Sequence, residues 1–267
     1  MDLGLSNAVV VVAGGTTGMG RAAADCFAGD GARVAVLART MHDLDETAEA
    51  LRLLGAADAV GFQTDLLDEE SVEAAFVQVG ERWGHCNALV NAAGPFPGGI
   101  KGFEEYTDTD WLDVFNGITL SSVRTIRAAL PLLRRAEWAR IVNVSAMSTK
   151  RQSASLVAYT AAKNALTSLT KNLSMSLAED RILVNTVSPG TYVSESFKRA
   201  LRQLPDVDEE DLYDVMRYIT RDFGHPVHLN RAGDPKEIGP VIAFAASARN
   251  TYMTGANINV DGGSDFT

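Results

Sequence analysis

Tyr159 and Lys163 stand four residues apart in the stretch "AYTAAK", the spacing that puts two side chains on one face of a helix. A free phenol ionises at about pH 10, too high for proton transfer near neutrality unless positive charge favours its anion. Lys163, one turn on, supplies such a charge, so the pair has the composition of a general acid–base and its tuner. A proton moved to or from a substrate oxygen needs another group to hold that oxygen. Two hydroxyls precede the pair in "NVSAMST", Ser145 and Ser148. Successive strand residues face opposite ways, so Ser148 shares the side of Ala146 if the chain stays extended, while Ser145 points away.

A second constellation suits a phosphate. Gly14, Gly18 and Gly20 punctuate "AGGTTGMG", with Thr16, Thr17 and Met19 completing the turn, between an apolar run and a helical pattern from Arg21 to Gly29. Glycines at such a turn let the backbone approach a pyrophosphate, whose charge sits at the helix N-terminus. Further along, Asp65 and Leu66 in "QTDL" close the third apolar run, where a carboxylate can accept from an adenine amino group. "NAAG", with Asn91, Ala92 and Gly94, closes the fourth and puts small residues beside a ribose. Together these positions are hard to explain as ordinary turns.

The elements that must position these residues are short apolar runs alternating with longer amphipathic stretches. The runs are Ala8–Ala13, Arg33–Ala38, Ala59–Gln63, Ala88–Asn91, Arg140–Ser145, Ile182–Ser188 and Asn257–Val260. Strand–helix alternation of this kind predicts an α/β fold with a doubly wound parallel sheet of about seven strands, covered by about six helices. Ligands of such sheets bind at the carboxyl ends of strands, which is where the glycine turn, Asp65 and "NAAG" fall. The chain of 267 residues fits one domain. Residues 191–235 interrupt the alternation with prolines, glycines and the acidic run "PDVDEEDLYD" around a helix-like core at Leu212–Ile219. So long an excursion in a compact domain reads as a substrate lid.

Composition narrows the function classes. An apolar fraction of 46% predicts a sizeable core, and a formal net charge of −10 argues against a nucleic-acid surface. The apolar run at Ala8–Ala13 is too short for a signal peptide or a membrane span, so a cytoplasmic protein with no membrane partner is expected. Cys26 and Cys86 lie far apart and read as two reduced, packed thiols. His225 and His228 flank a proline and lack a third ligand, so no metal is expected.

The set formed by Gly14–Gly20, Asp65, "NAAG", Asn116, Tyr159-x-x-x-Lys163, "NTVSPG" (Asn185–Gly190) and "TGANINVDGG" resembles the classical short-chain dehydrogenases/reductases over essentially the whole chain. One departure is Ala13, where the family's glycine motif usually has threonine. The resemblance implies a Rossmann-type sheet, a nicotinamide dinucleotide and commonly a homotetramer, paired through helices around Asn116–Leu133 and Tyr159–Ala178. It implies that Lys163 also contacts the nicotinamide ribose, and that Asn116 holds a water in a proton relay. Pro189, Gly190, the backbone near Val193 and the Ser194 hydroxyl would surround the nicotinamide carboxamide. Ala38 stands where NAD-preferring relatives place a carboxylate, and Arg39 beside it can pair with a 2′-phosphate, so NADP(H) is favoured over NAD(H). Thr17 occupies a position that is basic in many NADP-dependent relatives.

The family's catalytic serine lies about thirteen residues before the tyrosine, and that position is Ala146. Ser148 is the preferred substitute, Ser145 a second, and no serine at all a third. The implied activity is hydride transfer between nicotinamide and a ketone or secondary alcohol, in the manner of a 3-oxoacyl reductase. Tyr192, Phe197, Leu201, Leu204, Tyr213, Met216 and Phe223, with Phe96, would line a site for a largely apolar small molecule. The alternative reading, supported by Ala146, is a dinucleotide-binding protein with little turnover.

Overall fold

The computed structural model describes residues 2–94, 102–204 and 206–264. Seven strands form one sheet: β1 (Val9–Ala13), β2 (Arg33–Ala38), β3 (Asp58–Gln63), β4 (Ala88–Asn91), β5 (Ala139–Val144), β6 (Ile182–Pro189) and β7 (Asn257–Val260). All pairings are parallel, in the order β3-β2-β1-β4-β5-β6-β7. The order reverses between β1 and β4, the crevice where open parallel sheets take their ligands.

β1 reads VVVVA and every residue of it is buried, as expected for a central parallel strand covered on both faces. Its side chains alternate between layers. Val10 and Val12 join Val34, Val36 and Val90 under helices α1 (Gly18–Gly29), α2 (Met41–Leu53) and α9 (Pro235–Ala245). Val9 and Val11 join Leu37, Leu89 and Ile141 under α3 (Glu69–Trp83) and α5 (Ser121–Leu133), with α6 (Val157–Ser176) packed beside β6. The helix after the glycine turn begins at Gly18 rather than at Arg21, with Gly18 entering it at φ +58°, a left-handed conformation open to glycine.

α4 (Asp108–Phe115) runs into a π-helical turn at Asn116–Leu120 and then into α5. Val114 and Ile118 pack on Ala158, Ala162 and Leu166, which seats the Asn116 segment directly against the helix that carries Tyr159 and Lys163.

The excursion at 191–235 contains α8 (Leu212–Phe223), as its pattern predicts, and also a shorter α7 (Glu195–Leu201). Both helices enclose a cluster of their own, Val193, Leu201, Val215 and Ala232, with Phe197, Leu204 and Tyr218 against it. Its neck is closed by backbone bonds, Val193 N–H to Gly233 O at 3.0 Å and Gly233 N–H to Thr191 O at 2.9 Å.

Candidate active site

The glycine turn and "NAAG" meet over the end of β1. Ala13 O accepts from both Ala92 and Ala93 N–H at 2.9 Å. Gly14 has φ +80°, a left-handed conformation, and a Cβ there would lie 2.7 Å from Ala93 N; a Cβ on Gly20 would collide with Gly14 O. These contacts require glycine. Thr17 caps α1 without a side-chain hydrogen bond, so the first N–H groups of this helix remain available for an anion, flanked by half-buried Thr16 and Met19. A bare backbone cradle at a parallel strand's carboxyl end fits the pyrophosphate of a dinucleotide.

Other predicted residues converge on the same edge. A Cβ on Gly94 would sit 3.2 Å from Lys163 Nζ, and one on Gly18 would sit 3.5 Å from Ser194 Cβ, so "NAAG" adjoins the Tyr159 helix and the glycine turn adjoins the start of the 191–235 segment. Pro189 ends β6 and Gly190 follows it, Gly190 N–H donating to Val260 O at 3.0 Å. Ser194 accepts from Phe197 N–H at 3.3 Å as the cap of α7. Val193 differs from expectation in one respect: its N–H is taken by Gly233 and its side chain lies in the lid cluster, so only its carbonyl faces another use.

Ala38 and Arg39 lie at the end of β2, Arg39 exposed and without an ion pair to a described residue. Gln63 Nε2 donates to Arg39 O at 2.9 Å, joining the ends of β2 and β3. Asp65 is exposed two residues beyond β3, and Leu66 packs on the core beneath it. Asn91 is a correction. Its Nδ2 donates to Asn143 Oδ1 at 2.9 Å and its Oδ1 accepts from Thr125 at 2.6 Å. Asn143 continues to Thr170 at 2.9 Å. The Asn91 side chain is therefore committed to an interior chain of bonds that ties α5 to α6 across the sheet, rather than to a ribose. Asn143, which sequence reasoning did not single out, is the middle of that chain.

Lys163 is 4% exposed and has no carboxylate partner among the described residues. Its Nζ donates to Val144 O at 2.8 Å and lies 5.7 Å from the centre of the Tyr159 ring. Burial pulls its ammonium down to about 8 and pushes the Tyr159 phenol up to about 12. Asn116 opens the π-helical turn, and its Oδ1 is buried without a hydrogen-bond partner. Extra residues in a helical ladder of this kind concentrate at functional sites.

The serines separate clearly. The Ser145 hydroxyl bonds Thr167 Oγ1 at 2.8 Å and Lys163 O at 3.2 Å, so it faces α6. Ala146 is extended, but Met147–Thr149 form a single 3₁₀ turn; the chain does not stay extended, and Ser148 is placed by that turn and not by strand parity. Ser148 is 3% exposed and its Oγ has no partner.

Residues 13–265 match the family described as enoyl-(acyl carrier protein) reductase. The chain is 30% identical to the 3-oxoacyl-(acyl-carrier-protein) reductase FabG of Pseudomonas aeruginosa, covering 98% of each. The chain is a classical short-chain dehydrogenase/reductase. Among solved structures of the family, L-sorbose reductase from Gluconobacter frateurii, complexed with NADPH and L-sorbose, superposes with a TM-score of 0.91 at 27% identity over 100% of both chains. A short-chain oxidoreductase from Pseudomonas aeruginosa, described as containing an atypical catalytic center, does so at 0.87 with 31% identity over 97% of each. The protein is thus an oxidoreductase of a family that binds a nicotinamide dinucleotide. No helix among the described residues is long and apolar enough to cross a membrane.

The apolar lining expected of the lid is another correction. Leu201 and Met216 are buried, Phe197 and Leu204 pack on the lid's own cluster, and Tyr213 is 52% exposed. Tyr192 OH donates to Val260 O at 3.0 Å. Phe223 lines a cavity beside residues 151–155, and Tyr192 lines another beside Val227 and Gly262. Phe96 lies outside the described residues.

Proposed function

We propose that the protein is a cytoplasmic, NADP(H)-dependent oxidoreductase that interconverts a ketone and its secondary alcohol, with Tyr159 as the acid–base residue. The observation that carries this reading is the buried Lys163, without a carboxylate partner among the described residues, beside Tyr159. A lone buried cation is costly, and a tyrosine that must reach its anion is the group that gains from it. The bound dinucleotide would supply or accept the hydride. Tyr159 passes a proton to the substrate oxygen in the reducing direction and takes it back in the other; Lys163 lowers the phenol and holds the ribose. Asn116, through its unpartnered Oδ1, orients a water that returns the proton.

Ser148 donates to the substrate oxygen. Its hydroxyl is buried and uncommitted, whereas Ser145 is spent on α6. Because the chain is an oxidoreductase of this family, Ala146 bears on rate more than on class, and the binding-protein alternative loses its ground. Gly14, Thr16, Thr17, Gly18, Met19 and Gly20 cradle the pyrophosphate; Asp65 and Leu66 meet the adenine; Ala92 and Gly94 meet the ribose; Pro189, Gly190, Val193 and Ser194 meet the carboxamide. Arg39, unpaired by any described residue and next to the neutral Ala38, favours the 2′-phosphate of NADP(H). The whole chain acts as one domain, with 191–235 as its lid. Leu112, Phe115 and Leu120 around the π-helical turn and Met175 on α6 are exposed, a surface that suits self-association into a homotetramer.

The test is NADPH oxidation over a panel of ketones and 3-oxoacyl thioesters, with NADH in parallel. Tyr159→Phe should lower kcat at least about a thousandfold while NADPH still binds; retention of rate, or equal use of NADH, contradicts the respective assignment.

A further inference from the structure

The turn that follows β3 engages nearly every polar group of Asp65. Its N–H donates to Ser71 Oγ at 3.0 Å, its carbonyl accepts from Asp68 N–H at 3.1 Å, and its Oδ1 accepts from Leu67 N–H at 2.9 Å. A carboxylate that closes on the N–H two residues ahead forms an Asx-turn, which fixes the direction of the side chain. Asp65 is exposed, and its second oxygen, Oδ2, accepts from no described residue.

The peptide that closes this turn is held from its other side. Leu66 O and Leu67 N–H belong to one peptide unit, and Arg124 Nη1 on α5 donates to Leu66 O at 3.3 Å. Such a unit is planar, and no cis bond occurs among the described residues, so its C=O and N–H point in opposite directions. Fixing the carbonyl therefore fixes the N–H that aims Asp65, and a bond at one end polarises the unit and strengthens the bond at the other. Arg124 is half-buried and has no carboxylate partner among the described residues. Arg127 differs: it pairs with Glu69 at 2.5 Å, and so holds the start of α3 rather than the 66–67 peptide.

We propose that Arg124 is a positioning residue of the dinucleotide site: through the Leu66–Leu67 peptide it aims the remaining Asp65 oxygen at the amino group of adenine, and so sets the site's preference for an amino-bearing purine. The inference rests on the reading of Asp65 as the adenine acceptor. A purine with a carbonyl in place of the amino group would set oxygen against oxygen and forfeit the hydrogen bond. A carboxylate free to swing into solvent would discriminate less, because it would keep its bonds to water with either base.

The experiment titrates NADPH and its hypoxanthine analogue, in which a carbonyl replaces the adenine amino group, by nicotinamide fluorescence. The proteins are the wild type, Asp65→Ala, Arg124→Met, Arg127→Ala and the double variant Asp65→Ala/Arg124→Met. The readout is the ratio of the two dissociation constants, which a merely structural tie between α5 and the turn would not move, since it would weaken both cofactors alike. The wild type should favour NADPH about tenfold or more. Asp65→Ala should bring the ratio to about one, and Arg124→Met should cut it at least about threefold. In the Asp65→Ala background Arg124→Met should change the ratio no further, and Arg127→Ala should leave it at the wild-type value. A ratio retained in Arg124→Met, or lost equally in Arg127→Ala, overturns the role of Arg124 and leaves Asp65 as the acceptor. A wild-type ratio near one, or a preference that survives in Asp65→Ala, overturns the adenine reading of Asp65, and the positioning role with it.

Discussion

The sheet and the lid are built on different scales. β1 is wholly buried between two layers of Val, Leu and Ile, whereas the cluster inside the 191–235 segment, the proposed lid, has four buried members, Val193, Leu201, Val215 and Ala232. Around that small cluster run surface ion pairs, Lys198 with Glu210 and Arg202 with Glu209, which contribute little each. The sheet therefore holds rigidly what must not move: the glycine cradle, Lys163 against Val144 O, and the Thr125–Asn91–Asn143–Thr170 chain that fixes α5 to α6. A segment held by so small a cluster is expected at the low-stability end of the molecule, as the proposed lid role requires.

The largest effect that sharpens this contrast is at Lys163, where the rigid body carries a cost for the chemistry. Lys163→Met should lower kcat at least about a thousandfold and yet stabilise the cofactor-free protein at pH 7 by about 2–3 kcal/mol. The folded ammonium titrates at about 8, below its ordinary 10.5. Between those values the unfolded chain binds more protons, so wild-type stability gains with rising pH, fully by the upper value. Tyr159 acts oppositely: its folded value of about 12 lies above 10.0, so its contribution is lost as pH climbs through that interval. Urea unfolding from pH 7 to 10 should show the wild-type rise and its absence in the variant; an unchanged slope would mean that the buried ammonium is not the source.

A smaller effect on rate should come from the lid. Leu201→Ala empties part of a four-residue core and should cost about 2–5 kcal/mol locally. Amide exchange should accelerate through α7 and α8 but not through β1 or β4, and KM for the carbonyl substrate should rise more than kcat falls. Equal acceleration in sheet and lid would break the comparison, because the two would then unfold as one unit.

Much of the sheet was legible because fully buried parallel strands leave continuous apolar runs; observed strand ends differ from those runs by about one residue. The glycine turn was legible because glycine is required by geometry that no other residue satisfies, as at Gly14 and Gly20. The π-helical turn at Asn116 was not, since it consists of a shifted hydrogen-bond ladder within an unbroken helical pattern. Short α7 gave too few turns for a period. The lid's apolar residues were read as a lining because amphipathicity shows that a face is buried and not what buries it; Leu201 and Met216 face protein. Nor could the sequence distinguish Ser145 from Ser148 by parity, since the 3₁₀ turn at Met147–Thr149 breaks the alternation on which parity depends. Arg124 left no signal, as its partner is a backbone carbonyl 58 residues away.

On the proposed mechanism, Ser148 holds the substrate oxygen in place of the missing residue at Ala146. The most direct measurement is single-turnover reduction at saturating NADPH in the wild type, Ser148→Ala and Ala146→Ser, with folding checked by circular dichroism. A hundred- to thousandfold loss in Ser148→Ala, the order expected for one oxyanion donor, with about wild-type rate in Ala146→Ser, is the predicted result. Full rate in Ser148→Ala, or a large gain in Ala146→Ser, would contradict it.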